Sequence, residues 1–126
     1  MKENAKKELL RVMNNTLHTY DDIRCAVISI GFDYQNKLDF EEYNEHKDRG
    51  ESWGRYLVLK DGYADSELSD FMKELDVEYD SGFGGQELYG YVVMRDGSWL
   101  ERNEYDGSEW WEYRKYFIPE QCRTDK

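Results

Sequence analysis

The dipeptides Asp96-Gly97 and Asp106-Gly107 constrain this chain more than any other feature, because each stands between strand-like runs. Glycine reaches the positive φ that a tight type I′ turn demands, so Asp-Gly between alternating segments is a strong hairpin signal. Two such signals in succession predict a three-stranded antiparallel meander across "ELYGYVVMRDGSWLERNEYDGSEWWEYRKYF". A two-residue loop at 96–97 sets residue 94 opposite 99, 93 opposite 100 and 91 opposite 102. A two-residue loop at 106–107 sets 103 opposite 110, 101 opposite 112 and 99 opposite 114. On this register Tyr89, Tyr91, Val93, Leu100, Arg102, Trp111 and Tyr113 share the core face. Val92, Met94, Trp99, Glu101, Trp110, Glu112 and Arg114 share the wetter one.

The rest of the chain supplies helices and further strands. Leu9, Leu10, Val12, Met13 and Leu17 recur at helical steps, which predicts an amphipathic helix from residue 3 to about 16. "IRCAVISIGF", residues 23 to 32, is β-branched and apolar and predicts a buried strand with Cys25 as core filling. A strand from Arg55 to Leu59 follows, closed by Asp61-Gly62. Leu68, Phe71, Met72 and Leu75 then fall on one helical face, predicting a helix over 66–75 with Asp65 or Ser66 as its cap. Residues 33–52 are polar apart from Leu38, Phe40 and two tyrosines, which suits a strand excursion or a mobile loop. "SGFGGQ" reads as a flexible connector. The fold expected is a single α+β domain over residues 1–126, with a peripheral tail at 119–126. Its antiparallel sheet has four to six strands, including the meander, and two helices pack mainly on one face.

Charge narrows the partners. Seventeen Lys and Arg against 28 Asp and Glu give a net charge of −11, and 16% aromatic residues is too many for a disordered acidic tail. Residues 1–20 carry Lys2, Lys6, Lys7 and Arg11 against only Glu3 and Glu8, so the remainder is more acidic than the total. Such a field repels nucleic acid and anionic membranes and draws in basic partners. No apolar run matches a membrane span, and "MKENAKKELLRVMNN" has no apolar signal-peptide core, so the expected setting is the cytoplasm. Cys25 and Cys122 have no metal or redox spacing and read as reduced thiols.

The candidate chemistry is sparse. Glu101 and Glu112 face each other on this register, at a separation that suits a glycosidase pair, but nothing around them resembles a sugar site. A solvated acidic face is the better reading. Asp76, Glu78, Asp80 and Glu87 match four positions of a calcium-loop template, yet Ser81 stands where glycine is needed and a strand follows. His18 and His46 are far apart in sequence, without metal-ligand spacing. No enzyme activity, metal or cofactor is expected. Aromatic side chains beside carboxylates suit a protein interface instead. The expected partner-binding residues are Trp99, Glu101, Glu104, Asp106, Glu109, Trp110 and Glu112.

The tracts "GGQELYG", "DGSWLER" and "EYDGSEWWEY" resemble a C-terminal module of small uncharacterised acidic proteins of bacteriophages and prophages. The resemblance implies a mobile-element protein in a bacterial cytoplasm and assigns no catalytic residue. Together with the charge, it leads to the expectation of an inhibitor that binds a basic host protein such as a nuclease. A nucleic-acid mimic with anti-CRISPR or anti-restriction action is the concrete form. The alternatives are an interaction module without mimicry and a small enzyme using Glu101 and Glu112.

Overall fold

The computed structural model describes residues 2–50, 54–81, 85–117 and 119–122. The chain runs β1 (Lys2–Asn4), α1 (Ala5–Asn15), β2 (Ile23–Ile30), α2 (Lys37–Asp48), β3 (Arg55–Leu59), α3 (Asp65–Leu75) and β4 (Glu78–Asp80). The meander follows as β5 (Leu88–Met94), β6 (Trp99–Tyr105) and β7 (Ser108–Arg114). Five strands form one antiparallel sheet in the order β3-β2-β5-β6-β7, and β1 pairs with β4 in a separate two-stranded ladder. This is the expected α+β architecture. Among the described residues, no helix is long and apolar enough to cross a membrane.

The apolar periodicity of α1 and α3 explains where they lie. Ala5, Leu9 and Met13 from α1 and Leu68, Phe71, Met72 and Leu75 from α3 enter one core with Ala26, Ile28, Leu57, Leu59, Val92, Met94, Leu100 and Trp111 of the sheet. Asn4 caps α1 by accepting the Lys7 N–H at 2.9 Å. At α3 neither Asp65 nor Ser66 is the cap. The N-cap is Ala64, whose N–H donates to the Glu67 carboxylate at 3.0 Å.

The two hairpins behave differently. At 106–107 the turn is the expected two-residue one, with Asp106 at φ 51° and Gly107 at φ 84°, and the ladder from Trp99↔Arg114 to Tyr105↔Ser108 has the expected register. At the first hairpin Val93 lies opposite Trp99, Val92 opposite Leu100 and Tyr91 opposite Glu101, one residue from expectation. The loop has three residues, Arg95 to Gly97. Gly97 N–H bonds to the Met94 carbonyl at 3.1 Å and Met94 N–H to the Ser98 carbonyl at 2.8 Å, with Gly97 at φ 89°. That is a type I turn followed by a left-handed residue, the pattern of a three-residue hairpin loop. Asp96 favours it by accepting the Ser98 N–H at 2.9 Å and the Ser98 hydroxyl.

One added loop residue turns the whole of β5 over, because strand side chains alternate with period two. Leu88, Val92 and Met94 are buried, whereas Tyr91 is 40% exposed. The expected core placement of Tyr89, Tyr91 and Val93 is therefore corrected: they lie on the outer face. Cys25 moves with them. It is half-buried beside Val93 and outside the core formed by Ala26 and Ile28.

Residues 37–48 are neither an excursion strand nor a loop but a helix. Asn36 caps α2 by accepting the Leu38 N–H at 3.1 Å, and Lys37–Glu41 and Arg49–Glu45 pair one turn apart. Phe40 and Tyr43 anchor it. Phe40 meets Tyr56 edge-on at 5.4 Å, and Tyr43 stacks on Phe32 at 4.7 Å. Since Tyr56 alternates with the core residues Leu57 and Leu59, α2 leans on the side of the sheet opposite to α1 and α3. The connector "SGFGGQ" covers residues 81–86, of which 82–84 lie outside the described residues.

Trp110 and Trp111 separate the two faces in one dipeptide, at 38% and 5% exposure. Trp111→Ala should lower unfolding free energy by about 3 kcal/mol or more through the cavity it leaves. Trp110→Ala should cost about 1 kcal/mol or less. Equilibrium denaturation of the two variants measures the difference.

Candidate partner-binding face

The side of the sheet away from α1 and α3 is the outer face. Register places Trp99 and Glu101 of β6 beside Arg114 and Glu112 of β7, with Tyr91 and Val93 of β5 next in line. Trp99 donates its indole N–H to Glu101 at 2.9 Å, and Arg114 Nε lies 3.5 Å from the same carboxylate oxygen. Glu112 stands directly opposite Glu101, two like charges on neighbouring strands. Cys25, Val27, Val58, Tyr91 and Val93 line a shallow apolar depression of about 280 Å³ beside this acidic row. Val58, Tyr91 and Trp110 are exposed. Lys60 and Asp61 border the depression at its β3 end.

The structure gathers part of the expected set and disperses the rest. Trp99, Glu101, Trp110 and Glu112 share the outer face. Asp106 sits in the turn, and exposed Glu104 points to the other side, accepting the Gly107 N–H at 3.1 Å. Glu109 is corrected outright: its side chain is fully buried and unavailable to a partner. β-strand alternation explains the difference, since 109 and 111 point inward where 110 and 112 point outward.

Glu109 belongs to a buried polar cluster that sequence reasoning missed. Arg102 of β6, with a side chain 1% exposed, donates to Glu8 of α1 at 3.0 Å and to Glu109 of β7 at 3.0 Å. It also donates to the hydroxyl of Tyr79, which in turn donates to the second oxygen of Glu8. The Glu109 carboxylate further accepts the backbone N–H groups of Glu87 at 2.8 Å and Leu88 at 3.0 Å. The guanidinium lies over the rings of Trp111 and Tyr79 at 5.4 and 5.5 Å. Burial opposes the Arg102 charge, but Glu8, Tyr79 and Glu109 together hold its pKa above the ordinary guanidinium value. Burial, then the hydrogen bond to Glu8, pushes the Tyr79 phenol well up. With its groups mutually satisfied and sealed from solvent, the cluster is a structural clamp.

His18 also has a partner that sequence distance concealed. Its Nε2 lies 2.8 Å from Asp96 and its Nδ1 lies 2.9 Å from the Thr16 hydroxyl, which donates to the Met13 carbonyl. Asp96 only accepts, so His18 Nε2 donates to it. These contacts tie the end of α1 to the β5–β6 hairpin. Bonds from Ser98, then His18, hold the Asp96 carboxyl well below the usual range.

Two of the calcium-loop carboxylates have structural partners. Asp76 accepts from Asn4 at 2.9 Å, Asp80 pairs with Lys2 at 3.2 Å, and Glu78 and Asp80 lie in the β1–β4 ladder. Burial, then the charges of Glu109 and Asp80, raises the Glu87 carboxyl. Among the described residues, no group of three or more His, Cys, Asp or Glu side chains is arranged to hold a metal ion.

No protein-family model, curated protein or solved structure matches the chain.

Removing one member of a buried ion cluster strands the others. Arg102→Met should destabilise the protein by about 3–5 kcal/mol, read by denaturant unfolding. Asp96 gives a pH signature of opposite origin. Its pKa is depressed on folding, so its stabilising contribution is present above the unfolded value of 3.8 and lost as pH falls through the folded one. Asp96→Asn should cost about 1 kcal/mol or less near neutrality, given the exposure of the group, and the gap from wild type should narrow below about pH 4.

Proposed function

We propose that this is a phage-type inhibitor that binds a basic host protein, with carboxylates of the outer face standing where that protein would meet phosphates. The observation that carries the reading is the composition of that face. On β6 and β7 it presents Trp99, Trp110, Glu101 and Glu112, with Arg114 as the one cation, and the cation is engaged with Glu101. Carboxylates steer a basic partner into register, and exposed aromatics give the contact its affinity. A nuclease or other nucleic-acid-processing protein is the fitting target class, and anti-CRISPR or anti-restriction action the fitting outcome. Like charge keeps the protein itself off nucleic acid, and its place of action is the bacterial cytoplasm.

The apolar depression beside the acidic row favours a second reading, an interaction module whose partner is recognised by shape rather than by charge. Salt separates the two. Affinity capture from a bacterial host should retain basic nucleic-acid-processing proteins at low ionic strength, lose them at high ionic strength, and fail with Glu101→Lys/Glu112→Lys. Capture that survives both high salt and the charge reversals, yet fails with Trp110→Ala, would select the module without mimicry.

A further inference from the structure

The five-stranded sheet ends in two unlike edges. The β3 edge is five residues long, and its Tyr56, Leu57 and Val58 line a pocket together with Glu67, Asp70, Phe71 and Glu74 of α3. Among the described residues, none lines such a pocket with the β7 edge. It runs for seven residues and pairs with β6 at every one of them, without a bulge or a proline. In a hairpin with a two-residue loop the residues flanking the turn exchange hydrogen bonds, and the pattern then alternates. Ser108, Trp110, Glu112 and Arg114 therefore turn their backbone groups toward β6, while Glu109, Trp111 and Tyr113 turn theirs outward. Among the described residues, none of those three outward N–H groups has a hydrogen-bond acceptor. The buried indole N–H of Trp111 also has no acceptor. Exposed Tyr105 lies at one end of this edge, and exposed Tyr116 and Phe117 at the other.

We propose that the free edge of β7 accepts an added strand from a partner whose alternate residues are Lys or Arg; this rests on the reading of the protein as a binder of basic proteins and gives that binding its geometry. Charge selects the occupant. Glu112 faces Glu101 across β6, and only Glu101 has a cation, Arg114. On its free side Glu112 would form a non-hydrogen-bonded pair with the incoming strand, the closer of the two cross-strand spacings, at about 4.5 Å between Cα atoms. A basic side chain there relieves the like-charge row, and its neighbours in sequence, which alternate to the inner face, extend the apolar cover over Tyr113. A second copy of this chain would instead bring two bodies of net charge −11 edge to edge.

The test uses the full chain with two synthetic nonapeptides, one alternating lysine with valine and one alternating glutamate with valine. Amide exchange followed by NMR should show slowing at Glu109, Trp111 and Tyr113 with the lysine peptide and none with the glutamate peptide. Tyr113→Pro removes an outward N–H without touching the β6 ladder, and Tyr113→Val keeps that N–H while removing the ring. The proline variant should bind the lysine peptide roughly tenfold more weakly than the valine variant. Equal binding by the two variants, protection at other amides alone, absence of lysine-peptide binding, or sedimentation as a β7-linked dimer would each overturn the proposal. If host-protein capture is lost with Glu112→Lys but kept with Tyr113→Pro, the edge is excluded and the function stands. Lysine-peptide protection without capture of any basic host protein gives the converse.

Discussion

Arg102 is the residue on which the rest of the structure depends. It reaches from β6 to Glu8 of α1, to Tyr79 of β4 and to Glu109 of β7, and Glu109 passes the connection on to the backbone at the start of β5. A guanidinium with five donors in a fixed plane can serve several acceptors at once, which a lysine ammonium cannot do with the same geometry. Buried ion clusters are weak sources of net stability, because desolvation offsets most of the attraction. Their use is in specification: every wrong placement of α1, of the β1–β4 ladder or of the meander leaves a charge stranded in the core.

That clamp acts on the inner side of the sheet and leaves the outer side to other uses. α1 and α3 bury their apolar stripes against one face, while α2 meets the other through Phe40 and Tyr43 at its β3 side. The acidic residues divide accordingly. Glu8 and Glu109 are consumed inside, whereas Glu101 and Glu112 stand outside, opposite each other. A like-charge pair directly across two strands is unfavourable in the isolated sheet. Such a cost is understandable where a cation arriving with a partner meets both carboxylates.

The elements with strong periodicity were legible in the sequence. The α1 and α3 stripes, the β-branched run of β2 and the 106–107 turn all carry their own local signal, and each forms where its pattern places it. The 96–97 hairpin carried the same Asp-Gly signal but a different loop. In the longer turn the Ser98 N–H and hydroxyl both bind Asp96, yet the same Asp-Gly-Ser tripeptide closes the second hairpin, so the tripeptide alone does not set the loop length. One residue in a loop thus decided the faces of all of β5. α2 escaped for a different reason: a helix held by two aromatic anchors, a cap and surface ion pairs has no apolar stripe to read.

The candidate site was half legible for a related reason. Alternation told Trp110 from Trp111 because the second hairpin kept its register, and the same rule, applied consistently, places Glu109 and Arg102 together on the inner side with Trp111. What alternation cannot supply is a partner far off in sequence. Glu8 lies 94 residues from Arg102, and His18 lies 78 from Asp96. Both contacts exist because the helices fold back over the sheet, and only a long-range packing argument would have found them. A charged residue on the inner face of a strand is nevertheless a usable signal, since burial obliges it to find opposite charge. In this chain Arg102 and Glu109 had that obligation written in their register, and the outer carboxylates, which share the strands but not the face, remain free to answer a cation from elsewhere.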